Sequence, residues 1–333
     1  MNNVRIAVDA NGGDNAPDMV IDACLLALEE ESSIELILFG NEEELAKKLK
    51  DKTYDKARLS FVDAKEVIEN CESPVLAIRR KKDSSIVKGL RSVKEGNADA
   101  FVSAGSTGAV LAGGTLIVGR IKGIERPALG SFIPTANGVT LLMDVGANVD
   151  SKARFLHQFA KMGSVYYNSY MGTERPTVGL VNVGAEDEKG NQLAKDTFAL
   201  LKDDQDLNFI GNIEGRDIAF GEANVIIADG FTGNVILKHT EGLALMLLKQ
   251  IKEAITSTWY SKIGALLIKG PLKKMLKSFD YTEYGGAPLL GLEGLVVKAH
   301  GSSDAKAYKN AILQCKTFSE EKVNDKIKQY LMK

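Results

Sequence analysis

Short runs of apolar, mostly β-branched residues alternate along this chain with longer segments whose apolar positions recur every three or four residues. A continuous apolar run of about four to eight residues is what a strand buried on both faces shows, while the wider spacing marks a helix with one face on the core. Residues 4–10 predict such a strand, and 17–30 a helix with Val20, Cys24 and Ala27 on one face. Strand signals recur at 34–39, 59–62, 98–103, 129–134, 139–145, 178–183, 207–210, 225–228 and 295–298. Most are separated by helical stretches, such as the charged 42–50. Parallel strands need crossover helices, and those helices cover both faces of the sheet. The alternation therefore predicts an α/β protein, a three-layer α/β/α sandwich around a mainly parallel sheet. No repeat, low-complexity tract or Pro/Ser-rich linker interrupts it, so one domain over 1–333 is expected, of a length that also allows two lobes.

Residues 240–279 break the rhythm, with almost no strand signal and a helix stop at Gly270-Pro271. A protruding helical hairpin over 240–280 is expected. Its stretch 249–278 holds seven lysines (Lys249, Lys252, Lys262, Lys269, Lys273, Lys274, Lys277) and one acid, Glu253. On a helical wheel Ile255, Trp259, Ile263, Leu266 and Leu267 share a face edged by Lys262 and Lys269. Lysine stems lie along apolar surface while their ammonium groups reach outward, so this face suits an anionic membrane surface. It also suits packing on the core or on a second copy of the chain, with its lysines merely solvated.

Composition narrows the function classes. Lys and Arg number 42 against 44 Asp and Glu, a net charge of −2, so no nucleic-acid partner is expected from bulk charge. No apolar run approaches the roughly 20 residues that span a bilayer. Met1-Asn2-Asn3 leads straight into a strand signal, without the apolar core of a signal peptide. Cys24, Cys71 and Cys315 are odd in number and far apart, which predicts no disulfide framework and fits a reducing cytosol. Cys24 and Cys315 fall at helical positions and read as small core residues. His157, His239 and His300 are scattered, without metal-ligand spacing, so neither a metal nor another cofactor is expected. His157 and His239 lie inside helical patterns and read as structural. A soluble cytoplasmic protein is the expectation.

Glycine is the unusual residue: 32 of 333, against about 7% in ordinary chains. The informative ones follow strands. They fall in DANGGD (9–14), SAGSTG (103–108), DVGAN (144–148), DGFTGN (229–234) and HGSSD (300–304). In an open α/β sheet the carboxyl ends of the strands line the ligand crevice. Loops there that lead into helices present free N–H groups and the positive end of the helix dipole, which is an anion site. The loops supply Asp9, Gly12, Gly13, Asp14, Ser103, Gly105, Ser106, Thr107, Asn148, Asp229, Thr232, Gly233, Ser302 and Ser303 as candidate binding residues. A small oxyanion, phosphate first, is the expected ligand. There is no GxxxxGK[ST] loop, and no GxGxxG after the first strand, which disfavours nucleotide hydrolysis and standard NAD binding.

At these same residues the chain resembles the PlsX-type phosphate acyltransferases. The likeness runs nearly end to end: IAVDANGGDNAP (6–17), RRKKDSS (79–85), FVSAGSTGA (101–109), GIERPAL (123–129) and LLMDVGAN (141–148). It continues through VGAEDEKGN (183–191), GNIEGRDI (211–218), DGFTGNVILK (229–238), YGGAPLLGLEG (284–294) and KAHGSSDAKA (298–307). The family usually carries Met at Asn11, often His at Asn15 and commonly Asn at Ser106; the amide of Asn15 cannot take an acid–base role. The resemblance implies a fold like the isocitrate/isopropylmalate dehydrogenases and phosphate acetyltransferases. It implies transfer of a fatty acyl group from acyl-acyl carrier protein to inorganic phosphate, giving acyl phosphate for phospholipid synthesis. It also implies a homodimer, peripheral membrane association through the hairpin, and hand-over to a downstream glycerol-3-phosphate acyltransferase.

Phosphate is itself an ionised nucleophile, so such an enzyme needs positioning and charge more than an activated side chain. Lys189, the one cation after Glu186, Asp187 and Glu188, is the expected basic group. Asn234, at the start of a long helix, is the expected amide donor to phosphate or to the developing oxyanion. His300 is the expected group to orient phosphate or protonate the leaving thiolate. Seven cations and one acid over 79–94 offer a docking face for an acidic carrier protein. Three alternatives stay open at this point: a NAD-dependent decarboxylating dehydrogenase, a coenzyme A phosphotransacylase, and a membrane scaffold without chemistry.

Overall fold

A computed structural model describes residues 3–278 and 285–331, the side chains of 274–278 apart. Residues 279 and 280 of the expected hairpin, 284 of the YGG motif, and Met1-Asn2 fall outside the described residues. The elements run β1 (Val4–Asp9), α1 (Asp18–Glu30), β2 (Ile34–Gly40), α2 (Glu42–Leu49), β3 (Leu59–Asp63), α3 (Pro74–Arg80) and α4 (Ser85–Lys94). Next come β4 (Ala100–Ser103), α5 (Thr107–Gly113), β5 (Ala128–Thr135), β6 (Gly138–Met143), α6 (Ala153–Met171), β7 (Thr177–Asn182), α7 (Gln192–Asp203), β8 (Asn208–Glu214) and β9 (Val225–Ile227). The chain continues with α8 (Gly230–Thr256), α9 (Trp259–Leu267), α10 (Lys269–Ser278), β10 (Ala287–Leu290), β11 (Leu295–Lys298), α11 (Ala305–Glu320) and α12 (Val323–Leu331).

The chain divides into two compact units, both assembled from separated segments, so no linker could mark the division in the sequence. The first unit comprises Met1–Ser131, Lys161–Arg175 and Thr282–Lys333. Within it β3, β2, β1, β4 and β11 pair in that order, all parallel. Helix α11 packs on α1 and against β1, β4 and β11. Ile6, Val8, Leu36, Phe101, Val102, Tyr308 and Ile312 fill its core. The second unit comprises Phe132–Ala160 and Pro176–Tyr281. Its strands β6, β9, β7 and β8 are again parallel, around Leu141, Leu142, Val178, Leu180 and Val225. The expected parallel α/β architecture holds in both.

Two expectations are corrected. Strand β10 went unread because Gly285 and Gly286 precede it and Pro288 lies inside it; a proline removes a ladder donor and argues against a central strand. It pairs antiparallel with β11 and with the start of β5. The helical stretch does not break at Gly270-Pro271 either. Pro271 sits in the first turn of α10, where its missing N–H has no helical acceptor to lose. The breaks fall at Ser257–Thr258 and at Ile268, where the Thr258 side chain and Ser261 form a capping box that starts α9. Ile255 consequently lies in the last turn of α8 and does not continue the wheel of Trp259, Ile263, Leu266 and Leu267.

Candidate functional site

In the first unit, parallel neighbours β1, β4 and β11 end at the same sheet edge, and register decides which residues meet there. Val8 pairs with Val102 and Ser103 with Lys298, so Asp9, Ser103 and Lys298 lie side by side. Ser103 Oγ donates to Asp9 Oδ2 at 2.6 Å, and Gly105 N–H donates to Ser103 Oγ at 2.9 Å. The Asn11 amide donates to Asp9 Oδ1 at 3.1 Å, and Tyr308 Oη donates to the carbonyls of Asp9 and Val102, at 3.3 Å each. Burial raises the Asp9 carboxyl above its ordinary range. Hydrogen bonds from Ser103, Ser85 and Asn11 and the charge of Lys298 pull against that rise.

The three following loops interlock. A Cβ on Gly12 would collide with the Asp9 carboxylate and lie 2.6 Å from the Gly105 nitrogen, so this backbone approach is open to glycine alone. Gly13 has φ +110°, and the Asp14 amide donates to the Gly301 carbonyl at 2.9 Å. Of the residues expected to hold an anion, Asp9 and Ser103 are buried and organise the loops from beneath. Ser106 caps α5, its Oγ accepting from the Ala109 amide at 3.4 Å, and Thr107 is exposed beside it. Ser303 is buried, with its amide donating to the His300 carbonyl at 3.1 Å. His300 Nδ1 contacts Ser302 Oγ at 2.8 Å and accepts from the Ser302 amide at 3.2 Å. In a neutral ring that arrangement puts the proton on Nε2.

The second unit repeats the device. Asp144, fully buried after β6, accepts from the amides of Ala147 (3.2 Å) and Asn148 (2.7 Å) and from Asn148 Nδ2 (3.0 Å). Helix α8 starts directly against this loop: the Gly230 amide donates to the Asn148 carbonyl at 2.8 Å. Asp229 caps the helix, accepting from the Thr232 amide at 2.9 Å and Thr232 Oγ1 at 2.7 Å. A Cβ on Gly233 would overlap the Asp144 carbonyl oxygen. Asn234 lies against Gly146, which has φ +116° and would place a Cβ 3.7 Å from the asparagine side chain. Because β7 runs parallel beside β9, the loop carrying Lys189 leaves the same edge as the loop carrying Asn234. The Lys189 backbone is held by Glu186 and Asn182, and its side chain is exposed.

Sequence reasoning placed His300 and the DANGGD, SAGSTG and HGSSD loops, which the first unit brings together. It placed Asn234, Asn148, Asp229, Thr232 and Gly233, which the second unit brings together. It missed three residues around Asp9. Ser85 follows a helix-capping Ser84, Lys298 closes an apolar strand, and Tyr308 sits on a helix. Only the Ser84–Ser85 cap had a local signal. Neither His157 nor His239 belongs to these loops: His157 pairs with Asp204 at 2.7 Å, and His239 lies exposed within α8. Cys24 and Cys315 are fully buried, and burial pushes both thiols up, away from the thiolate form. No cluster of three or more His, Cys, Asp or Glu able to hold a metal occurs among the described residues.

Residues 4–326 match the family described as fatty acid synthesis protein. The chain is 52% identical over 326 residues to a phosphate acyltransferase of Clostridium acetobutylicum, covering 98% of both chains. Its fold matches a phosphotransacetylase from Streptococcus pyogenes with a TM-score of 0.61 at 19% identity, over 96% of this chain and 94% of that one. A proposed 4-hydroxythreonine-4-phosphate dehydrogenase from Salmonella typhimurium matches at 0.52 and 9% identity, over 95% and 99%. At such identities these two establish the fold alone, and they agree with the dehydrogenase- and phosphotransacylase-like architecture expected from the motifs. With a family match over nearly its whole length and half its residues shared with a named member, the chain belongs to the fatty acid synthesis protein family, the PlsX-type phosphate acyltransferases.

Proposed function

We propose that this protein transfers a fatty acyl group from acyl-acyl carrier protein to inorganic phosphate. A phosphate oxygen attacks the thioester carbon, a C–O bond forms, and the C–S bond breaks. The phosphopantetheine thiolate leaves and takes up a proton, and acyl phosphate is released. The observation that carries this reading is the interlocked set of loops after β1, β4 and β11. Its glycines keep backbone close to backbone, and the hydroxyl-bearing Thr107 and Ser302 stand exposed on it above the buried Asp9–Ser103 pair. Such preorganised donors suit an anion that is its own nucleophile.

In this reading Gly12, Gly13, Asp14, Gly105, Ser106, Thr107, Ser302 and Ser303 line the phosphate, with Asp9 and Ser103 setting the loop beneath it. His300 Nε2 supplies the proton to the departing sulfur. In the second unit Asn234 and Lys189 are the donors toward an oxyanion, on a frame set by Asp144, Asn148, Asp229, Thr232 and Gly233. No metal or cofactor is required by this chemistry.

The family names support the acyl transfer, and the physical character of α9 supports a peripheral membrane location from the cytoplasmic side. Trp259, Ile263, Leu266 and Leu267 share one face and are 52 to 81% exposed, beside exposed Lys262 and Lys269. No described helix is long and apolar enough to cross a membrane. Leu243, Met246 and Leu247 of α8 are also exposed and supply a surface for the homodimer. An acyl phosphate is a reactive mixed anhydride, which favours release close to its consumer, a glycerol-3-phosphate acyltransferase. The test is release of carrier thiol from palmitoyl–carrier protein as phosphate is varied. Saturable, phosphate-dependent release with formation of acyl phosphate is expected; release independent of phosphate, as in hydrolysis, or turnover confined to coenzyme A thioesters, would overturn it.

A further inference from the structure

Four of the seven cations over 79–94 are already engaged. Lys81 Nζ donates to Glu72 at 2.6 Å and to the Val67 carbonyl at 2.5 Å, and Lys82 Nζ donates to the Ile78 carbonyl at 3.0 Å. Lys88 pairs with Asp83 and donates to the Asp63 carbonyl, and Lys94 donates to the Val118 carbonyl at 3.0 Å. Arg79, Arg80 and Arg91 are exposed, and no hydrogen bond or ion pair engages their side chains among the described residues.

Two of those three lie on α3, whose inner and outer faces differ sharply. Ala77 and Ile78 are buried, and the helix packs on α5. A Cβ on Gly108 would lie 2.6 Å from Pro74 Cγ, and one on Gly113 3.1 Å from Ile78 Cδ1. The outer face carries Val75 and Leu76, 42% and 48% exposed. Leu76 precedes Arg79 and Arg80 by three and four residues, and Val75 precedes Arg79 by four, so helical spacing makes these side chains neighbours. An apolar centre edged by unpaired guanidinium groups complements an acidic helix with an apolar stripe. The patch also sits on the helix that buttresses α5, whose first turn begins at the Ser106–Thr107 loop.

We propose that the outer face of α3, formed by Val75, Leu76, Arg79 and Arg80, docks the protein that carries the acyl thioester, through an acidic helix of that carrier. This assignment rests on the acyl-carrier reading above and names where on the chain the carrier lands. Arg91 on α4, which also packs on α5, adds a third unpaired cation to the same unit.

The experiment measures binding of palmitoyl–carrier protein by titration calorimetry without phosphate, so that no turnover occurs. Wild type is compared with Arg79→Glu/Arg80→Glu and with Lys47→Glu/Lys50→Glu. The latter makes the same charge change on and just after α2, which packs on α1 and β3. Affinity is expected to fall about tenfold or more in the α3 variant alone, and its dependence on salt to flatten there. Unchanged affinity in the α3 variant, an equal loss in the α2 variant, or no carrier binding by wild type would each overturn the docking site. Loss of phosphate-dependent turnover in wild type is a separate result, read in the thiol-release assay, and bears on the acyl transfer alone.

Discussion

Ser103 and Asp9 stand 94 residues apart in sequence, yet the serine hydroxyl donates to the aspartate carboxylate at 2.6 Å. The hydroxyl also accepts the Gly105 amide, so one side chain ties a buried carboxylate to the turn above it. Ser103→Ala leaves that carboxylate short of a donor and is expected to cost about 1–3 kcal/mol in denaturant unfolding. Asp9→Asn and the double variant complete a cycle in which the combined loss is smaller than the sum. Strictly additive energies would mean the two groups do not act together.

Gly233→Ala places a methyl group on the Asp144 carbonyl, backbone against backbone, with no flexible side chain to yield. The first turn of α8 must shift, at about 1–3 kcal/mol of stability, and acyl transfer is expected to fall with it. Gly242→Ala, further along the same helix in open space, is expected to gain about 0.5–1 kcal/mol instead. Thermal melts of the two variants separate the close approach from a general intolerance of alanine in α8.

Lys189 is exposed, so its removal tests charge without disturbing a core. Lys189→Ala is expected to lower phosphate-dependent turnover about a hundredfold or more, with a melting temperature within error of wild type. Near-normal turnover would remove the lysine from the proposed chemistry.

Leu266→Glu with Leu267→Glu puts two carboxylates at adjacent, well exposed apolar positions of α9. Sedimentation with anionic vesicles is expected to lose the protein from the pellet, while turnover of soluble donor stays at the wild-type rate. Pelleting that survives both substitutions would place membrane contact elsewhere.

Glu31 accepts from Lys316 Nζ at 2.8 Å and from Ser33 Oγ and its amide at 2.7 and 2.9 Å. These hydrogen bonds, the lysine's first, hold its carboxyl down at about 2, below the ordinary 4.5. A depressed carboxyl contributes stability that is complete above the unfolded value and is lost as pH falls toward the folded one. Glu31→Gln is therefore expected to be less stable than wild type at pH 7 by about 1 kcal/mol or less, the pair being partly exposed. The two melting curves should converge between pH 4.5 and 2; a constant gap across that range would show that protonation of Glu31 does not matter.

Most of the fold was legible because the parallel strands are short apolar runs and the helices between them carry one apolar face. Strand β10 escaped because Pro288 and the two preceding glycines are local signals for a loop, and only its pairing with β11 and β5 overrides them. The hairpin stop was misplaced for a related reason. Gly270-Pro271 is a strong breaker in a helix interior but is tolerated in a first turn, and the position of that turn was set by the cap at Thr258 and the break at Ile268.

By itself the sequence determined the layer architecture, the family and the short list of loops, since periodicity and motif order are properties of neighbours along the chain. What only the tertiary structure decided is which members of that list are buried in the frame beneath the loops and which stay exposed. Strand register put Asp9 beside Ser103 and Lys298, and burial made the carboxylate an anchor for the loop. The same packing engaged four of the seven cations over 79–94 and left Arg79, Arg80 and Arg91 exposed, because hydrogen-bond partners such as Val67, Asp63 and Val118 come from other segments of the chain.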